Sequence, residues 1–130
     1  MNLFSKLFGA GDNAQDDSPV IAWKPLTSLA QLDELIEESK TQTVAIFKHS
    51  TRCGISSMTL RRFESDYPLE TTGVSLYYLD LIRFRDVSNE IVARFGVMHQ
   101  SPQILVIKNG QAVHYASHYD ISAQTVSGLA

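Results

Sequence analysis

The sequence predicts an α/β protein whose elements follow the order β-α-β-α-β-α-β-β-α around a central mixed sheet. Short apolar segments rich in β-branched residues alternate with segments of helical periodicity, and near the C-terminus an Asn-Gly dipeptide joins two strand-like segments. The chain has 130 residues, 44% of them hydrophobic, which suffices for one core but not for several domains. We therefore expect parallel strands joined by right-handed helical crossovers, with an antiparallel hairpin at one end of the sheet.

The first elements follow a polar N-terminal segment. Residues 1–18 are rich in Gly, Asn, Gln and Asp, which predicts a flexible tail ahead of a single domain at 19–130. A short first strand is expected at 20–23. Ser28 and Gln31 then have the spacing of a capping box at a helix start. The apolar positions that share one face of this helix are Leu29, Leu32, Leu35 and Ile36.

The middle of the chain predicts a second βαβ unit. Residues 43–48 form a short β-branched and aromatic run without helical period, typical of a buried strand, and 49–52 form the loop after it. A helix is expected from Cys53 until Pro68 ends it. Another strand follows at 74–81. The apolar residues of the helix recur at mixed helical spacing: Ile55, Met58, Leu60, Phe63 and Tyr67.

The last third contains one more helix, a hairpin and a closing helix. Asp86 or Ser88 is expected to cap the helix, and Gly96 stands where a C-terminal glycine belongs. Asn109 and Gly110 predict a two-residue hairpin turn, because both central positions of that turn need positive φ. The hairpin strands are predicted at 103–107 and 111–116, and the closing helix at 122–129.

Composition excludes several classes of function. Eleven Lys and Arg against 14 Asp and Glu leave a net charge of -3, which lacks the basic footprint of a general nucleic-acid binder. No apolar run is long enough for a signal-peptide core or a membrane span, so we expect a cytoplasmic protein. Cys53 is the one cysteine, which rules out an intrachain disulfide and a cysteine-based zinc site. An unpaired cysteine also fits a reducing compartment.

Cys53 falls where a predicted buried strand gives way to a helix. The free N–H groups and positive dipole end of a helix N-terminus favour a thiolate over a thiol. Lys48 and Arg52 add positive potential, and Ser56, three residues on, could direct its hydroxyl and backbone N–H toward the sulfur. A buried, inert cysteine is the alternative. The polar, flexible residues around Cys53, among them Gly54, favour an accessible and reactive sulfur.

The string FKHSTRCGIS at residues 47–56 resembles the YtxJ-type monothiol bacilliredoxins, redox proteins of the bacterial bacillithiol system within the thioredoxin superfamily. The resemblance extends over 23–119 and includes the Ser101-Pro102 dipeptide before the hairpin. It implies a thioredoxin-like three-layer sandwich in which Cys53 is the nucleophile. It also implies that Pro102 is a cis-proline whose neighbour Ser101 presents backbone groups to the substrate chain. Some relatives have proline after the cysteine, where this chain has Gly54.

The resemblance further implies thiol-disulfide exchange, in which bacillithiol or a similar small thiol is removed from S-thiolated client proteins. Bacillithiol would be a co-substrate, with no tightly bound cofactor. Because Ser56 stands where a dithiol enzyme has its second cysteine, the adduct on Cys53 needs a sulfur from another molecule. Lys48 and Arg52 could bind carboxylates of the small thiol, and Gly54 and Ser101 would contact the substrate.

Other functions remain open from the sequence. The domain could be a non-catalytic thioredoxin-like binding module or a sensor that becomes S-thiolated under oxidative stress, and a one-cysteine peroxidase ranks last. His49 could act as a base for Cys53 or merely hydrogen-bond backbone. His114 and His118 are four residues apart on a predicted strand, about 13 Å, which is too far to share a metal ion. We therefore expect no metal site, and Arg83 is interpreted as a solubilising residue.

Overall fold

The computed structural model describes residues 21–130, and it confirms the predicted α/β fold and element order. The predicted tail at 1–18 lies outside the described residues. The five strands are β1 Lys24–Pro25, β2 Thr43–His49, β3 Val74–Asp80, β4 Gln103–Lys108 and β5 Gln111–Ser117. The four helices are α1 Leu29–Glu38, α2 Gly54–Asp66, α3 Arg85–Phe95 and α4 Ala123–Gly128, with a 3₁₀ turn at His118–Asp120 before α4.

The strands form one mixed sheet in the order β1-β3-β2-β4-β5. The first three are mutually parallel, whereas β4 runs antiparallel to β2 and β5 antiparallel to β4. The carboxyl end of β2 therefore lies at the same sheet edge as the start of β4, and Lys48 pairs directly with Gln103. As a result, the loop that carries Cys53 and the residues that precede β4 meet at one edge of the sheet.

Helices cover both faces of the sheet, which confirms the three-layer sandwich. Alternate residues of β2 enter two separate apolar clusters: Val44 and Ile46 enter one, and Ala45 and Phe47 enter the other. Every residue of β2 is buried, because both faces of this central strand are covered. The first cluster contains Leu32 and Leu35 of α1 with Val87 and Ile91 of α3, and the second contains Phe63 of α2 with Ala123 and Val126 of α4.

Several local signals in the sequence are confirmed. The Ser28 hydroxyl accepts a hydrogen bond from the Gln31 N–H at 3.1 Å, while the Gln31 side chain accepts one from the Thr27 N–H at 2.8 Å. Gly96 ends α3 in the left-handed conformation, with φ of 67°. Asn109 and Gly110 have φ of 52° and 76°, as the hairpin turn between β4 and β5 requires.

Two predicted boundaries were wrong. Residues 21–23 are not a strand, because the Trp23 ring packs into the second cluster and its Nε1 donates to Glu64 at 2.8 Å. The first strand is Lys24–Pro25, so it begins only after the predicted range ends. Helix α3 begins at Arg85, after Phe84, and has no side-chain cap. Asp86 lies in its first turn and Ser88 is buried within it, so neither residue is the expected N-cap.

Candidate functional site

Cys53 is the N-cap residue of α2. Its backbone is extended, with φ of -110° and ψ of 120°, and its thiol makes no capping hydrogen bond. The Cys53 N–H donates to the Ser50 carbonyl at 3.2 Å, and the Cys53 carbonyl accepts from the Ser57 N–H at 3.1 Å. The side chain is partly exposed. The sulfur is thus held at the N-terminus of α2.

The Ser56 hydroxyl links the end of β2 to the first turn of α2. Its Oγ lies 2.7 Å from His49 Nδ1 and accepts a hydrogen bond from the Ser50 N–H at 3.1 Å. Both Ser56 and His49 are buried. This corrects the expectation that the Ser56 hydroxyl bonds to sulfur, since the hydroxyl is already engaged on both sides. We call His49, Ser50 and Ser56 the clasp, because together they fix both ends of the loop that carries Cys53.

The sequence had suggested that His49 lies in the loop after β2. His49 is instead the last residue of β2. Its ring packs 5.6 Å from the Tyr78 ring and 6.5 Å from the Phe47 ring, measured between centroids. Burial lowers the pKa of His49, and the nearby charges of Asp80 and Glu64 only partly oppose that effect. A neutral imidazole can accept a hydrogen bond from the Ser56 hydroxyl at Nδ1, while Ser56 Oγ accepts one from the Ser50 N–H. Among residues 21–130, no hydrogen bond joins His49 to Cys53.

The Ser101–Pro102 peptide bond is cis, as the resemblance implied. Pro102 is buried, and its carbonyl accepts a hydrogen bond from the His118 N–H at 3.1 Å. The next residue, Gln103, pairs with Lys48. This register places Pro102 beside the end of β2, where the loop that carries Cys53 begins.

The residues predicted to contact the substrate are not equally accessible. Arg52 and Gly54 are exposed on either side of Cys53, and Ser101 is partly exposed. Lys48, in contrast, is fully buried, and burial lowers its pKa from 10.5 to about 8. Its Nζ has no hydrogen-bond partner among the described residues. Lys48 is therefore covered by other residues, whereas Arg52 is open to solvent.

Apolar side chains are exposed in the first turns of α2 and before the cis-proline, which the sequence pattern had not predicted. Ile55 and Met58, in the first turns of α2, are exposed, whereas Phe63 further along the same helix is buried. Met98, before the cis-proline, is 77% exposed. The sequence contained a signal for this exposure. The apolar residues of α2 have mixed helical spacing, and one helix face cannot bury all of them.

The part of the chain that the structure describes contains neither a membrane-spanning helix nor a metal-binding cluster. None of its helices has the length and apolarity needed to cross a bilayer. Within residues 21–130, no group of three or more His, Cys, Asp or Glu side chains is arranged to hold a metal ion.

A lone cysteine at a helix N-cap, beside a cis-proline on a mixed sheet of this order, defines a monothiol protein of the thioredoxin fold. Residues 24–126 match the family model described as monothiol bacilliredoxin BrxC. The chain therefore belongs to the monothiol bacilliredoxin family. Together, family and fold support thiol-disulfide redox chemistry as its function.

Solved structures agree with this assignment. The chain is similar to a solved protein with a thioredoxin fold at 30% identity and a TM-score of 0.64, over 80% of this chain and 89% of the other. A thioredoxin of Malassezia sympodialis has 22% identity and a TM-score of 0.64, covering 85% and 90% of the two chains. A Schistosoma mansoni thioredoxin has 19% identity and a TM-score of 0.63, covering 82% and 91%. The two thioredoxins support the fold alone.

Proposed function

We propose that Cys53 removes bacillithiol, or a similar small thiol, from mixed disulfides of client proteins. The observation that carries the proposal is the partly exposed Cys53 thiol, free of capping hydrogen bonds at the N-terminus of α2, in a chain of the monothiol bacilliredoxin family. The side chain is partly exposed, and a helix N-terminus is a position that favours negative charge.

The first step exchanges one disulfide for another. The Cys53 thiolate attacks the sulfur of the small thiol, so that a bond forms between Cys53 Sγ and that sulfur while the bond to the client sulfur breaks. The client leaves as a thiolate, which is protonated by solvent. The number of disulfides does not change, and no external oxidant or reductant is consumed.

The second step needs another molecule. Ser56 cannot attack the adduct as a cysteine would, and its hydroxyl is already bonded within the clasp. A second small thiolate attacks the small-thiol sulfur on Cys53, releases the Cys53 thiolate and leaves as a symmetrical disulfide. Bacillithiol thus acts as a co-substrate and not as a bound cofactor.

The residues around the Cys53 sulfur contact the substrate. Arg52 is exposed beside Cys53 and can pair with carboxylates of the small thiol, while Gly54 leaves space at the helix start. Ser101, before the cis-proline, presents backbone groups to the client chain. We expect the protein to act in the cytoplasm, because a thiolate nucleophile must remain reduced.

The test uses a peptide disulfide-bonded to bacillithiol, mixed with the reduced protein and followed by intact mass. We expect the free peptide to appear together with wild-type protein that carries one bacillithiol, and Cys53→Ser to leave the disulfide intact. Glutathione and coenzyme A disulfides of the same peptide measure selectivity. Wild-type protein that leaves every disulfide intact contradicts the proposal. An adduct formed from oxidised bacillithiol without release of any client indicates an S-thiolated sensor instead.

A further inference from the structure

Buried polar atoms without partners concentrate at one edge of the sheet. Among the described residues, four buried side-chain nitrogen or oxygen atoms have no hydrogen bond, and three of them belong to Lys48, Ser101 and Gln103. The fourth belongs to His114 on β5. Buried polar groups in folded proteins are nearly always bonded, so three exceptions next to the cis-proline require an explanation.

The strand register brings two of these groups together. Lys48 and Gln103 are directly paired across β2 and β4, so their side chains project from the same face of the sheet. That face is covered by α1 and α3, because Ile46 and Leu105, two residues away on each strand, enter the first apolar cluster. The Gln103 Nε2 donates to the Met98 carbonyl at 3.1 Å. The exposed segment 98–100 therefore lies against this pair.

The positive charge at this position is uncompensated. Lys48 is fully buried and takes part in none of the ion pairs among the described residues, and neither does Arg85. Burial lowers the pKa of His99, and the charges of Lys48 and Arg85 lower it further, so both cations lie near this exposed histidine. An ammonium group without an acceptor is costly to bury. An anion bound here would remove that cost.

We propose that Lys48, Ser101 and Gln103, with Arg85 and His99 at the rim, form a subsite for a carboxylate of the small thiol in the mixed disulfide. The inference rests on the proposed function and names the part of the substrate that this edge recognises. The Lys48 ammonium donates to the carboxylate, and Gln103 Oε1 and Ser101 Oγ can accept from a hydroxyl or amide group of the same molecule. Entry requires the exposed segment 98–100 to move aside.

The test compares two disulfides whose small thiols differ in charge. A peptide without acidic residues is joined either to bacillithiol or to bacillithiol whose carboxylates are methyl esters, and the rate of peptide release is measured. We expect wild type to release the peptide from the free acid about 10- to 100-fold faster, the range of one charge-assisted hydrogen bond. Lys48→Met should lose most of this preference, and the remainder is the share that Arg52 contributes. Lys40→Met, in the turn between α1 and β2, is the matched control and should keep the preference.

The outcomes separate the two proposals. Equal wild-type rates for acid and ester overturn the subsite and leave the proposed function intact, whereas no release from either overturns the function itself. A preference of undiminished size in Lys48→Met, or an equal fall in rate with both disulfides, overturns the role of Lys48. If an aspartate in the peptide restores the ester's rate, the edge recognises the client and the small-thiol proposal is wrong.

A second variant avoids the buried position. Arg85 is exposed at the rim, so Arg85→Gln should leave the fold unchanged and reduce the preference for the acid severalfold. An unchanged preference in Arg85→Gln removes the rim from the subsite.

Discussion

Replacing Lys48 by methionine should stabilise the protein at neutral pH. The side chain is fully buried, its ammonium has no acceptor, and its position between Leu79 and Gln103 offers apolar contacts to a thioether of similar length. Exchanging a buried unpaired charge for a well-packed apolar group removes a desolvation penalty. The expected change is therefore opposite to the usual result of a core substitution.

The size of the effect follows from the Lys48 pKa, which burial lowers from 10.5 to about 8. In the unfolded chain the amine keeps its proton up to the higher value, so between the two the unfolded state binds more protons than the folded one. The penalty is therefore complete below pH 8 and disappears as the pH rises toward 10.5. At about 1.4 kcal/mol for each pH unit, it amounts to about 3 kcal/mol at pH 7.

The assay is urea unfolding of wild type and Lys48→Met at pH 7 and pH 10. We expect the variant to be more stable by about 3 kcal/mol at pH 7 and by about 1 kcal/mol at pH 10. Taking the difference between the two proteins cancels other groups that titrate in this range. Lys40→Met, which changes an exposed lysine paired with Glu37, should stay within about 0.5 kcal/mol of wild type. A variant no more stable than wild type at pH 7, or equally stabilised at both pH values, refutes the reasoning.

Three further predictions concern other contacts. Ser56→Ala leaves His49 and the Ser50 N–H without their partner, so unfolding free energy should fall by about 1–3 kcal/mol while Cys53 still reacts with iodoacetamide; loss of all reactivity would instead place the hydroxyl in the chemistry. Glu38 accepts from Ser75 and Tyr77. Burial raises its pKa, but these bonds and the Lys24 charge outweigh burial and lower it, so its contribution is present above pH 4.5 and lost in more acidic solution. Glu38→Gln should lower the free energy of unfolding by about 1 kcal/mol at pH 7 and should reduce the loss of stability in acid. An unchanged loss of stability in acid contradicts the role given to Glu38. Gly110→Ala should lower stability by about 1 kcal/mol because φ is 76°, whereas Gly128→Ala, in α4, should be neutral or stabilising in the same thermal melts.

Short sequence motifs predicted most of the fold because each motif specifies its own local backbone conformation. The Ser28 cap, the Gly96 helix end and the Asn109-Gly110 turn each depend on backbone geometry that few residues satisfy, and each is confirmed. The strand predicted at 20–23 was wrong for residues 21–23, where the partly buried Trp23 ring packs on Phe47 and Phe63, far along the chain. No local pattern contains that information.

The candidate site was only partly predictable for the same reason. Cys53 at a helix start and the proline before β4 could be read from residue order, but the partner of Ser56 depends on where the end of β2 meets the first turn of α2. The burial of Lys48 depends on β4 pairing with β2, which brings Gln103 and the segment before it against the amine. A charged residue at a strand end resembles a surface residue until that pairing is known.

Lys48 and His49 are the last two residues of β2, and the positions of both side chains depend on the register of this strand. Because side chains alternate across a strand, Lys48 projects toward α1 and α3, while His49 projects toward α2 and bonds to Ser56. A shift of one residue would turn both side chains to the opposite faces of the sheet, and every apolar residue of β2 would change cluster as well. The burial of this central strand on both faces makes such a shift too costly. The core that fixes the register of β2 therefore also fixes the clasp and the Lys48 subsite on either side of Cys53.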